Sequence, residues 1–281
     1  MARTATFDGL ACAPYDDRLY APTAIATQVD GWEAVEVEKY REYGFVPVAN
    51  AFDSVTCDAA VEGLVQLASR DGEVPYELQF ESAVRDTLDS MSPQERLDSV
   101  RKLMWFVPHE SRLRALAEDP RMMTVVTELL GAEPEMYQEM ALMKPPGIGR
   151  EKPWHQDHAY FDLPEGTPVI GVWIALDAAT VENGCMIFQP GGHREGPRPH
   201  FNVRDWQLCD ADVLEVQQRV AAPLPRGGAL IFDGLTPHGT AQNRSGSRRR
   251  AIQFHYVPKG TPRLKDERLR IFGAEGFGAT C

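Results

Sequence analysis

The spacing of apolar positions changes character part-way along the chain. Residues 1–30 show no periodicity and read as an N-terminal arm. From there to about residue 131 the pattern is helical. Residues 33–43 stop at Gly44, a glycine placed to end a helix. Asp53 and Ser54 precede a loose apolar stripe of Val55, Ala59, Leu64 and Leu67, which predicts a helix over 55–69. Ser92-Pro93-Gln94-Glu95 has the serine, proline and glutamate of a capped helix start, and the helix is expected to run to about Trp105. A further helix is predicted near 120–130, ending at Gly131.

From residue 135 the apolar runs shorten. Met136–Lys144, Val169–Leu176, Met186–Gln189, Ala229–Phe232 and Ala251–Val257 read as strands. Between them stand the turn signals Pro145-Pro146-Gly147, Asn183-Gly184, Pro190-Gly191-Gly192 and Arg226-Gly227-Gly228. Helices first and short strands later give an α+β class with a mainly β core, a sandwich or barrel with helices on one side. The expected organisation is an arm (1–30) and one domain (31–281), helical over 31–131 with the β core at about 135–258. Residues 70–92 and 194–222 are weakly patterned and read as loops or lids.

Two histidines stand in chemically suggestive places. In Trp154-His155-Gln156-Asp157 a histidine and an acid lie two apart, which in an extended chain places them on one face. His238, just after the strand 229–233, is the best third ligand. Two imidazoles and one carboxylate form the facial set of non-heme Fe(II) oxygenases, and it leaves coordination positions open. HxD alone is common and carries little weight. Arg249, eleven residues beyond His238, adds a guanidinium suited to gripping a carboxylate in two places, as a 2-oxo acid co-substrate requires. Within Arg248-Arg249-Arg250, strand alternation puts Arg249 inward and its neighbours outward.

With these residues in place, the sequence resembles the phytanoyl-CoA dioxygenase family of 2-oxoglutarate-dependent oxygenases. The similarity is carried by Trp154–Phe161, Val172–Asp177, Glu182–Cys185, Gln189–His193, and His238-Gly239 through Arg248–Ala251, with Tyr43-Gly44-Phe45 nearer the start. The resemblance implies a double-stranded β-helix (jelly-roll, cupin-like) core with flanking helices. It implies Fe(II) held by His155, Asp157 and His238, and O2 and 2-oxoglutarate as co-substrates. Arg249 matches the arginine for the distal carboxylate. Met140, Gln156 and Trp173 match residues lining the co-substrate pocket, Lys102 matches a co-substrate lysine across a one-residue gap, and Thr240 stands where the family often has serine. The implied reaction hydroxylates or otherwise oxidises an unactivated C–H bond of a small organic molecule, releasing succinate and CO2. Asp157 fills the position that related halogenases leave vacant for chloride, which speaks against halogenation. Two other readings share the pattern, a cupin-like metal enzyme that consumes no 2-oxoglutarate and a non-catalytic binding barrel.

The remaining histidines have plainer readings. His158 is expected on the surface or just behind the ligands, His193 in a turn, His200 near a pocket mouth or in a loop, and His255 on a strand near the core. Five scattered cysteines without a CxxC read as reduced thiols. No apolar run is long enough for a membrane helix, and the first residues lack the apolar core of a signal peptide, so the expected compartment is the cytoplasm. The expected assembly is a monomer or homodimer. A net charge of −12 argues against a nucleic-acid partner. Its distribution is uneven: residues 226–270 hold ten Lys and Arg against three acids. That basic island suits a dianionic co-substrate and a carboxylate or phosphate on the main substrate.

Overall fold

The computed structural model describes residues 6–7, 15–70, 74–274 and 281. Two sheets face each other. The larger has nine strands, and its centre runs Val100–Met104, Pro134–Lys144, Arg249–Pro258, Ile170–Ala175, Ala229–Asp233 and Phe45–Ala49. The smaller runs Ala24–Ile25, Val220–Ala222, Met186–Phe188, His238–Thr240 and Lys152–His155. The pairings within each core are antiparallel, giving the jelly-roll expected of the β half.

The large sheet is buried on both faces, and the strand sequences show why. In Ile170–Ala175, Ile170, Val172 and Ile174 join the helices on the outer face, while Trp173 and Ala175 face the smaller sheet. Ala229–Asp233 alternates likewise, with Ile231 outward and Leu230 and Phe232 inward. Covered on both sides, such strands read as continuous apolar runs, which is how the sequence announced them. The helices Ser54–Ser69, Ser111–Ala117 and Pro120–Leu130 contribute Leu64, Leu67, Leu113, Leu116, Met122 and Val126 to the outer layer. Burying a leucine or valine contributes about 1.5–3 kcal/mol.

Several local expectations change. The helix opened by Ser92 has its capping box, but it ends at Asp98, and Val100–Met104 is a strand instead of the helix running to Trp105. Pairing on both sides, with Glu77–Phe80 and Pro134–Lys144, outweighs the local helical start. The stretch 33–43 divides into a short 3-10 turn at Trp32–Ala34 and a helix Val37–Tyr43 capped by Gly44 in the left-handed region. The 194–222 region is a small hairpin, Phe201–Asn202 with Trp206–Gln207, followed by the helix Asp210–Glu215. Where the N-terminal arm is described it lies on the barrel: Leu19 and Tyr20 are buried, and Ala24–Ile25 adds a parallel strand to the smaller sheet.

The cysteine reading needs correction. Cys209 and Cys281 form a disulfide that ties the C-terminal residue to the segment following the hairpin, because the fold brings together positions 72 apart in sequence. Cys57 and Cys185 are buried free thiols, and Cys12 lies outside the described residues.

Candidate metal and co-substrate site

His155 ends its strand and His238 begins its own, and the two are direct cross-strand partners. Their rings stand 4.3 Å apart, centroid to centroid. Asp157 reaches the same point from the first residue of a 3-10 turn, Asp157–Tyr160, so the histidine and acid converge although the chain leaves the strand between them. One donor atom from each of the three lies within 4.8 Å of the others, and all three residues are buried.

Proton placement decides what this cluster can hold. His155 Nδ1 donates to Pro153 O at 2.7 Å and His238 Nδ1 donates to Thr236 O at 3.0 Å. That leaves the Nε2 of each ring facing Asp157 Oδ1, at 3.1 Å and 3.7 Å. Two imidazole nitrogens and a carboxylate oxygen converging on one point form a donor set that a cation would join, with both rings neutral. The other carboxylate oxygen is occupied: Asp157 Oδ2 accepts from Gln253 Nε2 and from His255 Nε2, each at 2.8 Å. One oxygen is anchored and the other is left for a metal. Burial works against the Asp157 charge, yet His238, His255 and the hydrogen bonds from His155 and His255 hold its pKa well below the usual carboxylate range. Burial and the neighbouring His155 push His238 down to about 3, so it stays neutral, as a ligand must be.

The cluster opens into a cavity of about 310 Å³. Arg249 enters it from the large sheet. The residue is buried, and among the described residues its Nε and Nη1 have no hydrogen-bond partner. The guanidinium lies over the Trp173 ring at 5.3 Å. Arg248 and Arg250 point outward to Asp98 and Asp177, as alternation requires. A buried guanidinium with empty donors is costly unless an anion arrives, and it meets the need of a distal carboxylate. Thr240, Met140 and Lys102 line the same cavity. Burial, followed by the charges of Lys152 and Arg101, pushes Lys102 down to about 8.

Gln156 goes elsewhere. Its Nε2 donates to Gly196 O and Leu235 O, its Oε1 accepts from Arg198 N, and it does not line the cavity. Standing between two inward residues, it faces the other way and clamps the loops behind the site. His158 is not on the surface, and its ring nitrogens hydrogen-bond none of the described residues, the ligands included. It is buried against Phe272 of the C-terminal helix Glu267–Phe272, because the 3-10 turn replaces strand alternation there. His200 is fully buried and accepts from Gln156 N. His193 does sit in the turn after Pro190-Gly191-Gly192. Gln253 and His255 escaped the sequence reading as holders of Asp157. The available signal was parity with Arg249, which puts 249, 251, 253 and 255 on one face of one strand.

The sequence profile of the phytanoyl-CoA dioxygenase family matches residues 40–251. Phytanoyl-CoA dioxygenase domain-containing protein 1 of Danio rerio is 32% identical over 157 residues, covering 53% of this chain and 54% of that protein. The chain spans about half the length of this relative and of its Mus musculus and Rattus norvegicus counterparts. Among solved structures, EvdO2 of Micromonospora carbonacea var. aurantiaca, complexed with 2-oxoglutarate, aligns with a TM-score of 0.58 at 26% identity, covering 82% of this chain and 95% of that one. The non-heme alpha-ketoglutarate-dependent carbocyclase SnoK from nogalamycin biosynthesis has the same fold, with a TM-score of 0.64 at 23% identity over 89% of this chain and 92% of its own.

Proposed function

The chain belongs to the phytanoyl-CoA dioxygenase family, and on that premise we propose that it is an Fe(II)- and 2-oxoglutarate-dependent dioxygenase acting on a small organic molecule. The observation that carries this reading is the pairing of two features in one cavity. Three buried acceptor atoms face one another on His155, Asp157 and His238, and a buried guanidinium with unused donors stands on Arg249. The donor set, two imidazoles and a carboxylate, suits Fe(II), and no cysteine enters it.

When bound, iron together with O2 and 2-oxoglutarate supplies the oxidising power to hydroxylate an unactivated C–H bond, with succinate and CO2 as the other products. The chain's own residues do the rest. His155, Asp157 and His238 hold the ion on one face. Arg249 takes the distal carboxylate, with Trp173 beneath its guanidinium and Thr240 on the wall of the same cavity. Met140 and Lys102 line the same cavity and complete the wall around the co-substrate. Phe188 and Phe232 pack against His238 and keep water from the rear of the site. Gln156 has no part in binding the co-substrate on this reading. The cavity wall is rich in cations, which favours a main substrate carrying a carboxylate or phosphate. Among the described residues no helix is long and apolar enough to cross a membrane.

Anaerobic addition of Fe(II) and then 2-oxoglutarate should produce a weak visible charge-transfer band. In air the same protein should form succinate. His155→Ala and Asp157→Ala should each abolish iron-dependent succinate formation, and full activity in either variant would sink the assignment. Metal binding without 2-oxoglutarate consumption would point instead to a cupin-like enzyme of another class.

A further inference from the structure

We propose that Lys144 is a positioning residue for the distal carboxylate of the co-substrate, acting through the Thr240 hydroxyl. The inference rests on the reading of Arg249 as that carboxylate's anchor. Lys144 closes the strand Pro134–Lys144 and stands opposite Arg249 in the ladder. It is 5% exposed and, among the described residues, forms no direct ion pair, the carboxylates of Glu81 and Glu151 acting on it only through their charge. Its Nζ donates to Thr240 Oγ1 at 2.7 Å and to Ala241 O.

The seat for this ammonium is built into the chain. Gly184 has φ +86°, and a Cβ there would lie 2.4 Å from Ala241 O and 3.0 Å from Lys144 Nζ. A side chain at 184 would occupy the place the ammonium fills. Asn243 Nδ2 donates to Lys144 O at 2.9 Å and fixes the end of the strand.

A hydroxyl has one hydrogen to give. Thr240 Oγ1 receives its hydrogen bond from Lys144, so its own hydrogen is free to point into the cavity that Thr240 lines. The result is an O–H donor in the same cavity as a guanidinium with two unused donors, with Lys144, the ladder partner of Arg249, behind the hydroxyl. That arrangement fits an anionic oxygen and disfavours a neutral acceptor-poor group or a cation. Burial and the charge of Arg249 hold the Lys144 pKa well below its ordinary value, a strain that a carboxylate placed beside the two cations would relieve.

The test uses the full chain loaded anaerobically with Fe(II), with binding read from the charge-transfer band. The probes are 2-oxoglutarate and 2-oxobutyrate, which lacks the distal carboxylate. Lys144→Met should weaken 2-oxoglutarate binding about tenfold, the loss of one charge-assisted interaction, and leave 2-oxobutyrate within about twofold. Thr240→Val should do the same, and Thr240→Ser should restore wild-type binding. The double variant Lys144→Met/Thr240→Val should be no weaker than the worse single one, because the two act in series. Equal weakening of both probes, or multiplied effects in the double variant, would reduce Lys144 to a tether between strands and overturn the proposal. Thr240→Val keeps the test decisive should Lys144→Met fail to fold, since normal 2-oxoglutarate binding in Thr240→Val also overturns it. A wild-type protein that gives no band with 2-oxoglutarate refutes the dioxygenase reading itself. A wild-type band that survives unchanged in the variants refutes only the role of Lys144.

Discussion

An imidazole can bind a metal only through a nitrogen that carries no proton, and here a backbone carbonyl two residues upstream fixes that choice in both histidines. The carboxylate is held with equal care by Gln253 and His255. His255→Phe should therefore fold but bind Fe(II) about 10–100-fold more weakly, the usual cost of losing an outer partner, as metal titration would measure. Arg249→Ala should raise the 2-oxoglutarate requirement by about 2–5 kcal/mol, at least thirtyfold, with little effect on Fe(II) affinity. Lys102 adds a pH signature. It is charged below about 8 and neutral above it, and an anion favours the charged form. Co-substrate affinity should therefore fall as pH rises through 8, and Lys102→Met should flatten that slope in a binding titration. The sequence singled out His155, Asp157, His238 and Arg249 by their order and spacing taken together with the motifs around them, and the fold gathers all four into one cavity. It misplaced Gln156 because a motif position says nothing of which way the side chain turns. It passed over Gln253 and His255 because a glutamine and a histidine on a strand look like core until a carboxylate is known to face them.

Elements converge on the site through a few tight junctions. Gly44 ends the helix Val37–Tyr43 at φ +80°, and a Cβ there would come within 2.4 Å of both His193 Nδ1 and Thr236 Oγ1. Thr236 Oγ1 donates to Gly44 O at 2.9 Å, while the Thr236 carbonyl orients His238. Gly44→Ala should thus do two kinds of damage. It should lower thermal stability by more than the ~1 kcal/mol expected of a left-handed cap alone, and it should weaken metal binding from a distance. A loss of stability with unchanged Fe(II) affinity would separate the cap from the ligand loop. The caps at Gly44, Asp53, Ser92 and Gly131 were all legible, since each depends on a residue and its near neighbours. The strand Val100–Met104 was not, because its identity comes from partners 20 or more residues away, and a good helix start just before it gave the opposite local signal.

At the scale of the molecule, an acidic chain of net charge −12 gathers cations into one cavity, where Arg249, Lys144, Lys102, Lys152 and Arg268 share a wall with only two carboxylates among the described residues, Asp157 and Asp205. The uneven charge was visible in the sequence, but Lys102 and Lys152 lie far from the basic island and join it only through the fold. The Cys209–Cys281 bridge closes a long loop, and Cys281→Ser should cost about 4 kcal/mol under oxidising conditions and nothing under reducing ones, as melting with and without thiol would show. The cross-strand pairing of His155 with His238 has a kinetic side. These residues are 83 positions apart, and a slip of one residue in their ladder would turn one ligand to the opposite face. Neither half of the chain can form the ion site alone. During refolding, capture of a metal should trail the recovery of helical signal and coincide with the last closure of the barrel, so that the ion serves as a clock for the moment when distant strands find their register.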